Sequence, residues 1–204
     1  MQAEPVVLSG AGVRLEPLSH AHAQGLYNSG RTAADWGYLP RACFTDMPDV
    51  CRWIDEALAT PAQQPFAIVA TAGNQVIGST RYLNIRPAHR SLEIGWTWLG
   101  HKWQRTGVNT QVKLLLLSHA FEHLACVRVE FKTDARNLRS QLALARIGAT
   151  REGVLRNHMI VQGDYVRDSV YFSIIDSDWP TVRERLTLLR ARSQDGPDTP
   201  RTGP

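Results

Sequence analysis

A seven-residue segment, Gln104 to Thr110, has the composition of an anion-binding loop. It follows an apolar run typical of a strand, Leu92 to Leu99, and leads into an apolar run typical of a helix, Val108 to Leu124. It also contains Gly107, which suits a tight turn. The first backbone N–H groups of a helix have no partner within the helix and carry partial positive charge. We therefore expect an anionic ligand, such as a phosphate group, at this loop.

The same segment lacks two familiar nucleotide-binding patterns. The P-loop pattern Gly-x-x-x-x-Gly-Lys-Ser/Thr is absent, and a single glycine does not make the Gly-x-Gly-x-x-Gly fingerprint of dinucleotide-binding folds. A glycine-containing turn between a strand and a helix also occurs in many α/β proteins that bind no ligand there. The phosphate site is therefore a hypothesis that depends on the surrounding elements.

The elements that position this loop are predicted by the spacing of apolar residues. Alternation of apolar and polar residues indicates strands, and apolar residues three and four apart indicate helices. The pattern predicts an α/β (α+β) protein with one domain over residues 1–192 and a Gly- and Pro-rich, disordered tail at 193–204. The predicted order is a strand at Val13–Leu18, helices at about Ser19–Tyr27 and Thr45–Leu58, a hairpin of Phe66–Thr71 and Gln75–Ile85, a strand at Ser91–Leu99, a helix at Val108–Leu124, a strand at Val127–Lys132, a helix at Leu138–Ile147, a hairpin of Thr150–Ile160 and Tyr165–Ile175, and a helix from Asp178 to about Arg190.

Composition limits the class of protein. The 204 residues, 43% apolar and 21% charged, suffice for one domain with its own core. The formal net charge of +4 suits an anionic small molecule and is too weak to argue for nucleic acid. No run approaches the ~20 apolar residues of a membrane-spanning helix. No signal peptide is visible, and the cysteines lack metal-binding or redox spacing. We expect a cytoplasmic protein without a membrane partner or a metal, and a homodimer is one expectation for its assembly.

The order of elements, with the loop after the fourth strand, resembles the GNAT acetyltransferase superfamily. The pyrophosphate motif of that family reads Gln/Arg-x-x-Gly-x-Gly/Ala. Here Gln104-x-x-Gly107-x-Asn109 matches the first two positions and differs at the third. Asn137-Leu138-Arg139-Ser140, after the fifth strand, resembles the family's Asn-containing turn. Its Asn-x-Arg-Ser form is similar to the branch that includes the ribosomal-protein N-terminal acetyltransferases.

The resemblance implies a fold and a co-substrate. The fold would be a mixed, mostly antiparallel central sheet, flanked by helices and splayed between the fourth and fifth strands. The co-substrate would be acetyl-CoA, with its pantetheine arm in the split. Backbone groups near Trp98 and Leu99 would pair with that arm, and Asn137 and Ser140 would hydrogen-bond it. The residues expected to hold the pyrophosphate are Gln104, Arg105, Thr106, Gly107, Val108, Asn109 and Thr110.

The resemblance also implies a reaction, the transfer of an acetyl group to a primary amine by direct attack. The amine would belong to a protein N-terminus or to a small molecule. Glu93, on the fourth strand, is the candidate general base, and its alternative role is an ion pair with an arginine of a neighbouring strand. Ser140 is the candidate at the thiol end, because Leu144 occupies the position where many relatives carry a proton-donating tyrosine. The alternative for Ser140 is a position in the first turn of a helix capped by Asn137.

The acceptor and two rival functions remain open. Three aromatic residues of the first two helices and their connection could wall an acceptor pocket, or could simply pack in the core: Trp36, Tyr38 and Trp53. One rival function is a CoA-binding module without catalysis, supported by Leu144 and Asn109. A less favoured rival is a nucleic-acid-binding domain, supported by a basic cluster that the phosphates of CoA explain equally well. That cluster consists of Arg128, Lys132, Arg136 and Arg139.

Overall fold

The computed structural model describes residues 4–194, with side chains up to residue 192. Every strand and helix predicted from the sequence is present within that range, and the short strand β1 is additional. The predicted fourth and fifth strands are therefore β5 and β6. Residues 195–204 of the predicted tail lie outside the described residues. The elements are β1 Leu8–Ser9, β2 Val13–Pro17, α1 Ala23–Ser29, α2 Met47–Ala59, β3 Gln64–Ala70, β4 Gln75–Arg86, β5 Ser91–Leu99, α3 Val108–Ser118, β6 Arg128–Asp134, α4 Leu138–Ile147, β7 Thr150–Val161, β8 Tyr165–Ile175 and α5 Trp179–Gln194.

The strands form one mixed sheet in the order β1-β2-β3-β4-β5-β6-β8-β7. Every neighbouring pair is antiparallel except β5 and β6, which run parallel. The prediction of a mixed, mostly antiparallel sheet flanked by helices is confirmed. No helix within residues 4–194 combines the length and the apolar character needed to cross a membrane.

The parallel pair is short, and this opens a split in the sheet. Ser91 to Glu93 pair with residues 128–130 of β6, and the two strands separate beyond that point. On its other edge β5 carries a bulge, because Gly95 and Trp98 oppose β4 residues that are only two apart. Trp96, inside the bulge, has a φ of +50°. The bulge therefore lies on the segment of β5 that faces the split.

Two apolar cores cover the two faces of the sheet. On one face, alternate residues of β5, β6 and β8 pack against α3, α4 and α5. On the other face, α1 and α2 pack against β3 and a cluster of aromatic rings. The two cores hold helices above and below the split, so the split connects both faces of the sheet.

Candidate active site

The predicted anion-binding loop connects β5 to α3 as expected. Gly107 is the N-cap residue of α3 and has a φ of +81°, a conformation that favours glycine. The first bond of the helix runs from the Gln111 N–H to the Gly107 carbonyl oxygen, at 3.2 Å. The N–H groups of residues 108–110 therefore precede the helical ladder and have no partner in it. The structure places the free end of a helix dipole at this loop.

Gln104 fixes the loop by three hydrogen bonds. Its Nε2 donates to the Leu99 carbonyl oxygen at 3.0 Å and to Asp35 Oδ1 at 2.6 Å. Its Oε1 accepts from Arg139 Nη1 at 2.9 Å. The side chain thus ties the loop to the end of β5, to the connection between α1 and α2, and to the first turn of α4.

The first turn of α4 has the predicted cap. Asn137 Oδ1 accepts a hydrogen bond from the Ser140 N–H at 3.0 Å, so Ser140 does occupy the capped first turn. Ser140 also lines the cavity described below, together with Leu144 from the next turn. At the other end, Gly148 has a φ of +99° and ends the helix as the sequence indicates. The cap and the cavity wall are therefore compatible positions for Ser140.

A cavity of about 580 Å³ extends from the loop into the split between β5 and β6. Its lining comes from both faces of the sheet. We call the two ends the loop side and the Glu93 side. The loop side is lined by Gln104, Arg105, Gly107, Asn109, Thr110, Lys113, Asn137, Arg139, Ser140, Leu144 and Arg146. The Glu93 side is lined by Tyr38, Leu39, Pro40, Leu83, Glu93, Met159 and Arg167.

Glu93 is buried and has one engaged and one unengaged oxygen. Its Oε2 accepts hydrogen bonds from Asn84 Nδ2 at 2.8 Å and from Lys132 Nζ at 3.3 Å. Its Oε1 is buried and has no hydrogen-bond partner among the residues that the structure describes. Gly95 leaves room beside this oxygen, since a Cβ atom there would lie 3.1 Å from Oε1. The ion pair anticipated as an alternative exists, with a lysine of β6 in place of an arginine, and it leaves Oε1 available.

Lys113 places a buried amine on the loop side of the split. Its Nζ donates to Thr97 Oγ1 on β5 at 3.2 Å and lies 5.4 Å from the centre of the Phe131 ring on β6. Within residues 4–194 no carboxylate pairs with it, and burial lowers the pKa of Lys113 to about 7. The sequence analysis missed this residue. The available signal was a single charge inside the otherwise apolar run Val112–Leu117.

The predicted aromatic wall is only partly at the cavity. Tyr38 lines it and is 43% exposed. Trp36 and Trp53 are 1% and 2% exposed and pack around Phe44 in the second core. The structure does not bring these two tryptophans to the cavity and favours the packing alternative for them. The Trp98 ring belongs to the same cluster, 5.0 Å from Trp36 between ring centres, so a contact with the donor would use its backbone.

The predicted basic cluster does not form one exposed patch. Three of its four members are paired with carboxylates, and the fourth binds Gln104. The pairs are Arg128 with Glu130 and Glu152, Lys132 with Glu93, Arg136 with Asp134, and Arg139 with Gln104. This pairing removes the main support for the nucleic-acid hypothesis. In the described part of the chain, no three His, Cys, Asp or Glu side chains are grouped so that they could hold a metal ion.

Comparison with known proteins decides the family. The family model described as "Acetyltransferase (GNAT) domain" matches residues 13–150. The chain belongs to the GNAT acetyltransferase family. This confirms the predicted family and its acyltransferase class, and the matched range includes the loop, Glu93 and the first turn of α4.

Several GNAT relatives resemble the chain closely. The crystal structure of an acetyltransferase from T. thermophilus is 36% identical, covers 92% of this chain and 98% of that one, and has a TM-score of 0.85. A GCN5-related N-acetyltransferase from Brucella melitensis is 28% identical, with 91% and 86% covered and a TM-score of 0.87. The Bacillus subtilis (strain 168) protein named "Putative ribosomal N-acetyltransferase YdaF" is 31% identical over 96 residues, which are 47% of this chain and 51% of YdaF. The match thus spans about half the length of YdaF.

Proposed function

We propose that this GNAT protein transfers an acetyl group from acetyl-CoA to a primary amine, in a complex that holds both substrates at once. The observation that carries the proposal is the continuous cavity from the loop to Glu93. One end presents helix N–H groups suited to a pyrophosphate, and the other presents a carboxylate with an unengaged oxygen.

The loop side suits the phosphates of the donor. Arg105, Arg139 and Arg146 line it in addition to the N-terminus of α3. Arginine and free helix N–H groups both favour phosphate oxygens. Asn109, where relatives carry a smaller residue, also lines this end, so its amide can donate to the donor. The pantetheine arm would then follow the unpaired edge of β5 towards Trp98.

The Glu93 side suits the amine. In the reaction the amine nitrogen attacks the thioester carbonyl carbon, so that a C–N bond forms and the C–S bond breaks. Glu93 would take the proton that the nitrogen loses, either directly or through water, on its unengaged Oε1. Asn84 and Lys132 hold Oε2 and thereby orient the carboxylate. The thiolate that leaves would meet the Ser140 hydroxyl and take a proton from it or from water.

Two more distant proteins of the same fold are consistent with this donor. Mycobacterium smegmatis RimJ, 22% identical with a TM-score of 0.76, was solved in complex with CoA-disulfide. Spermidine N-acetyltransferase from Vibrio cholerae, 16% identical with a TM-score of 0.70, was solved with CoA and spermine. At these identities the likeness concerns the fold, and it supports CoA as the class of ligand for the loop side.

The test is the release of free CoA thiol from acetyl-CoA by the purified protein, with and without a panel of primary amines. We expect amine-dependent release, and we expect Glu93→Gln to lower kcat by about a hundredfold or more, as is typical of a lost general base. Acetyl-CoA affinity, measured by calorimetry, should stay within about twofold in this variant because Glu93 lies away from the loop. Amine-independent binding without any thiol release would instead favour the non-catalytic module, for which Leu144 is the supporting residue.

A further inference from the structure

Arg167 is a buried cation on the Glu93 side that the described protein leaves unsatisfied. It is 4% exposed, lines the cavity, and its Nε has no hydrogen-bond partner. Within residues 4–194 its guanidinium takes part in no hydrogen bond or ion pair of the kind that its neighbours make. A guanidinium has five N–H donors and stays charged in proteins, so burial without partners is costly.

The carboxylates near Arg167 are already occupied by other cations. Asp134 accepts from Arg136 through both oxygens, at 3.0 Å from Nε to Oδ1 and 2.8 Å from Nη2 to Oδ2. Glu93 is bound through Oε2 by Lys132 at 3.3 Å. These two carboxylates and three cations leave one positive charge in excess on this side of the cavity, and that charge is on Arg167.

Arg167 and Glu93 face the same side of the sheet. Leu92 and Ile94 are in the core beneath α3, so Glu93 between them points to the opposite face. On β8, Val170 and Phe172 are in that same core, so Arg167 also points to the opposite face. Glu93 lies where β5 and β6 are paired, and Arg167 lies beyond the Asp134–Ser169 pair, towards the open end of the split.

We propose that the acceptor carries a carboxylate as well as its amine, and that Arg167 binds the carboxylate while the amine faces Glu93. This inference rests on the proposed acetyl transfer. A carboxylate matches the planar fork of a guanidinium and would supply the missing counter-charge inside the cavity. Burial lowers the pKa of Arg167, and Asp134 and Glu93 partly offset that effect, which fits a cation that awaits a partner.

The same chemistry can come from a free amino acid or from a peptide with an acidic residue at its N-terminus. The test therefore compares acceptors in pairs that differ only by a carboxylate: glutamate with glutamine, β-alanine with propylamine, and peptides beginning with Asp or with Asn. The wild-type protein should show a kcat/KM about ten- to a hundredfold higher for the acidic member. The pair with the largest ratio identifies the source.

Two variants of Arg167 separate recognition from folding. In Arg167→Met the ratio between the two members should fall to within about threefold, and in Arg167→Lys it should be intermediate, because lysine keeps the charge and loses the fork. Arg156→Met, at an exposed arginine of β7, is the matched control and should keep the wild-type ratio. Binding of acetyl-CoA reports whether each variant is folded.

Turnover without any preference for the acidic members would overturn the inference and leave acetyl transfer intact. If no amine supports turnover, the proposed function fails, and calorimetry of N-acetylglutamate against N-acetylglutamine then tests Arg167 separately. Tighter binding of the acid, lost in Arg167→Met, would support the carboxylate site. Equal binding of the two compounds would overturn it.

Discussion

Lys113→Met tests whether the amine in the split is buried without a compensating charge. Methionine has a similar length and no charge, so it keeps the packing beside Phe131 and removes the ammonium. Thr97 Oγ1 retains its contact with Thr80 Oγ1, at 2.7 Å, when the lysine is removed. The variant therefore isolates the free energy of burying the charge.

The magnitude follows from the shift in the pKa of Lys113, from 10.5 to about 7. Between these two pH values the unfolded chain binds more protons at this lysine than the folded protein does. Stability must then rise with pH in that window, by up to about 1.4 kcal/mol per pH unit. Between pH 7 and pH 9 the wild-type free energy of unfolding should gain about 2 kcal/mol from this group relative to the variant.

The assay is urea unfolding of both proteins at several pH values between pH 7 and pH 9, analysed as the difference between them. The difference cancels the titration of all other groups to a first approximation. Lys113→Met should be the more stable protein at pH 7, and its advantage should shrink as the pH rises. Lys102→Met, at an exposed lysine, is the matched control and should give a constant difference near zero. A constant difference for Lys113→Met would refute the reasoning, because the amine would then be equally solvated in both states.

Two further substitutions test the loop and the thiol end. Gly107→Ala and Gly73→Ala both place alanine at a positive φ, +81° and +76°, so their costs in stability should be similar, about 1 kcal/mol each. Only Gly107→Ala should weaken acetyl-CoA binding, by about tenfold in calorimetry, and equal affinities would place the pyrophosphate elsewhere. Ser140→Ala leaves the cap from Asn137 to the Ser140 N–H intact, so its melting temperature should be unchanged while kcat falls about tenfold. Full turnover in Ser140→Ala would reduce the residue to its place in the helix.

Local patterns predicted the elements around the site well. β5 at Ser91–Leu99 and α4 at Leu138–Ile147 have the predicted bounds. The strand was bounded by its apolar pattern, and the helix by an N-cap asparagine and a terminal glycine whose side-chain and backbone chemistry are local. The helix predicted at Val108–Leu124 is α-helical to Ser118 and continues as a π-turn, a change that sequence spacing does not encode.

The interior of the site was less predictable, because it depends on tertiary geometry. Alternation shows that Arg167 and Tyr171 share a face of β8, but it does not show that this face meets a cavity. Lys113 lies on the apolar face of α3, and its role follows only from the separation of β5 and β6 above it. Trp36 and Trp53 were placed at the acceptor pocket from their element alone, and packing with Phe44 turned them into the core.

The central claim is that one cavity holds the donor at the loop and the reaction at Glu93. A crystal structure of the protein with acetyl-CoA tests it most directly. We predict pyrophosphate oxygens within about 3 Å of the N–H groups at residues 108–110, and the thioester in the split with its carbonyl carbon towards Glu93. A pyrophosphate bound away from α3, or a thioester that emerges on the face opposite Glu93, would contradict the account.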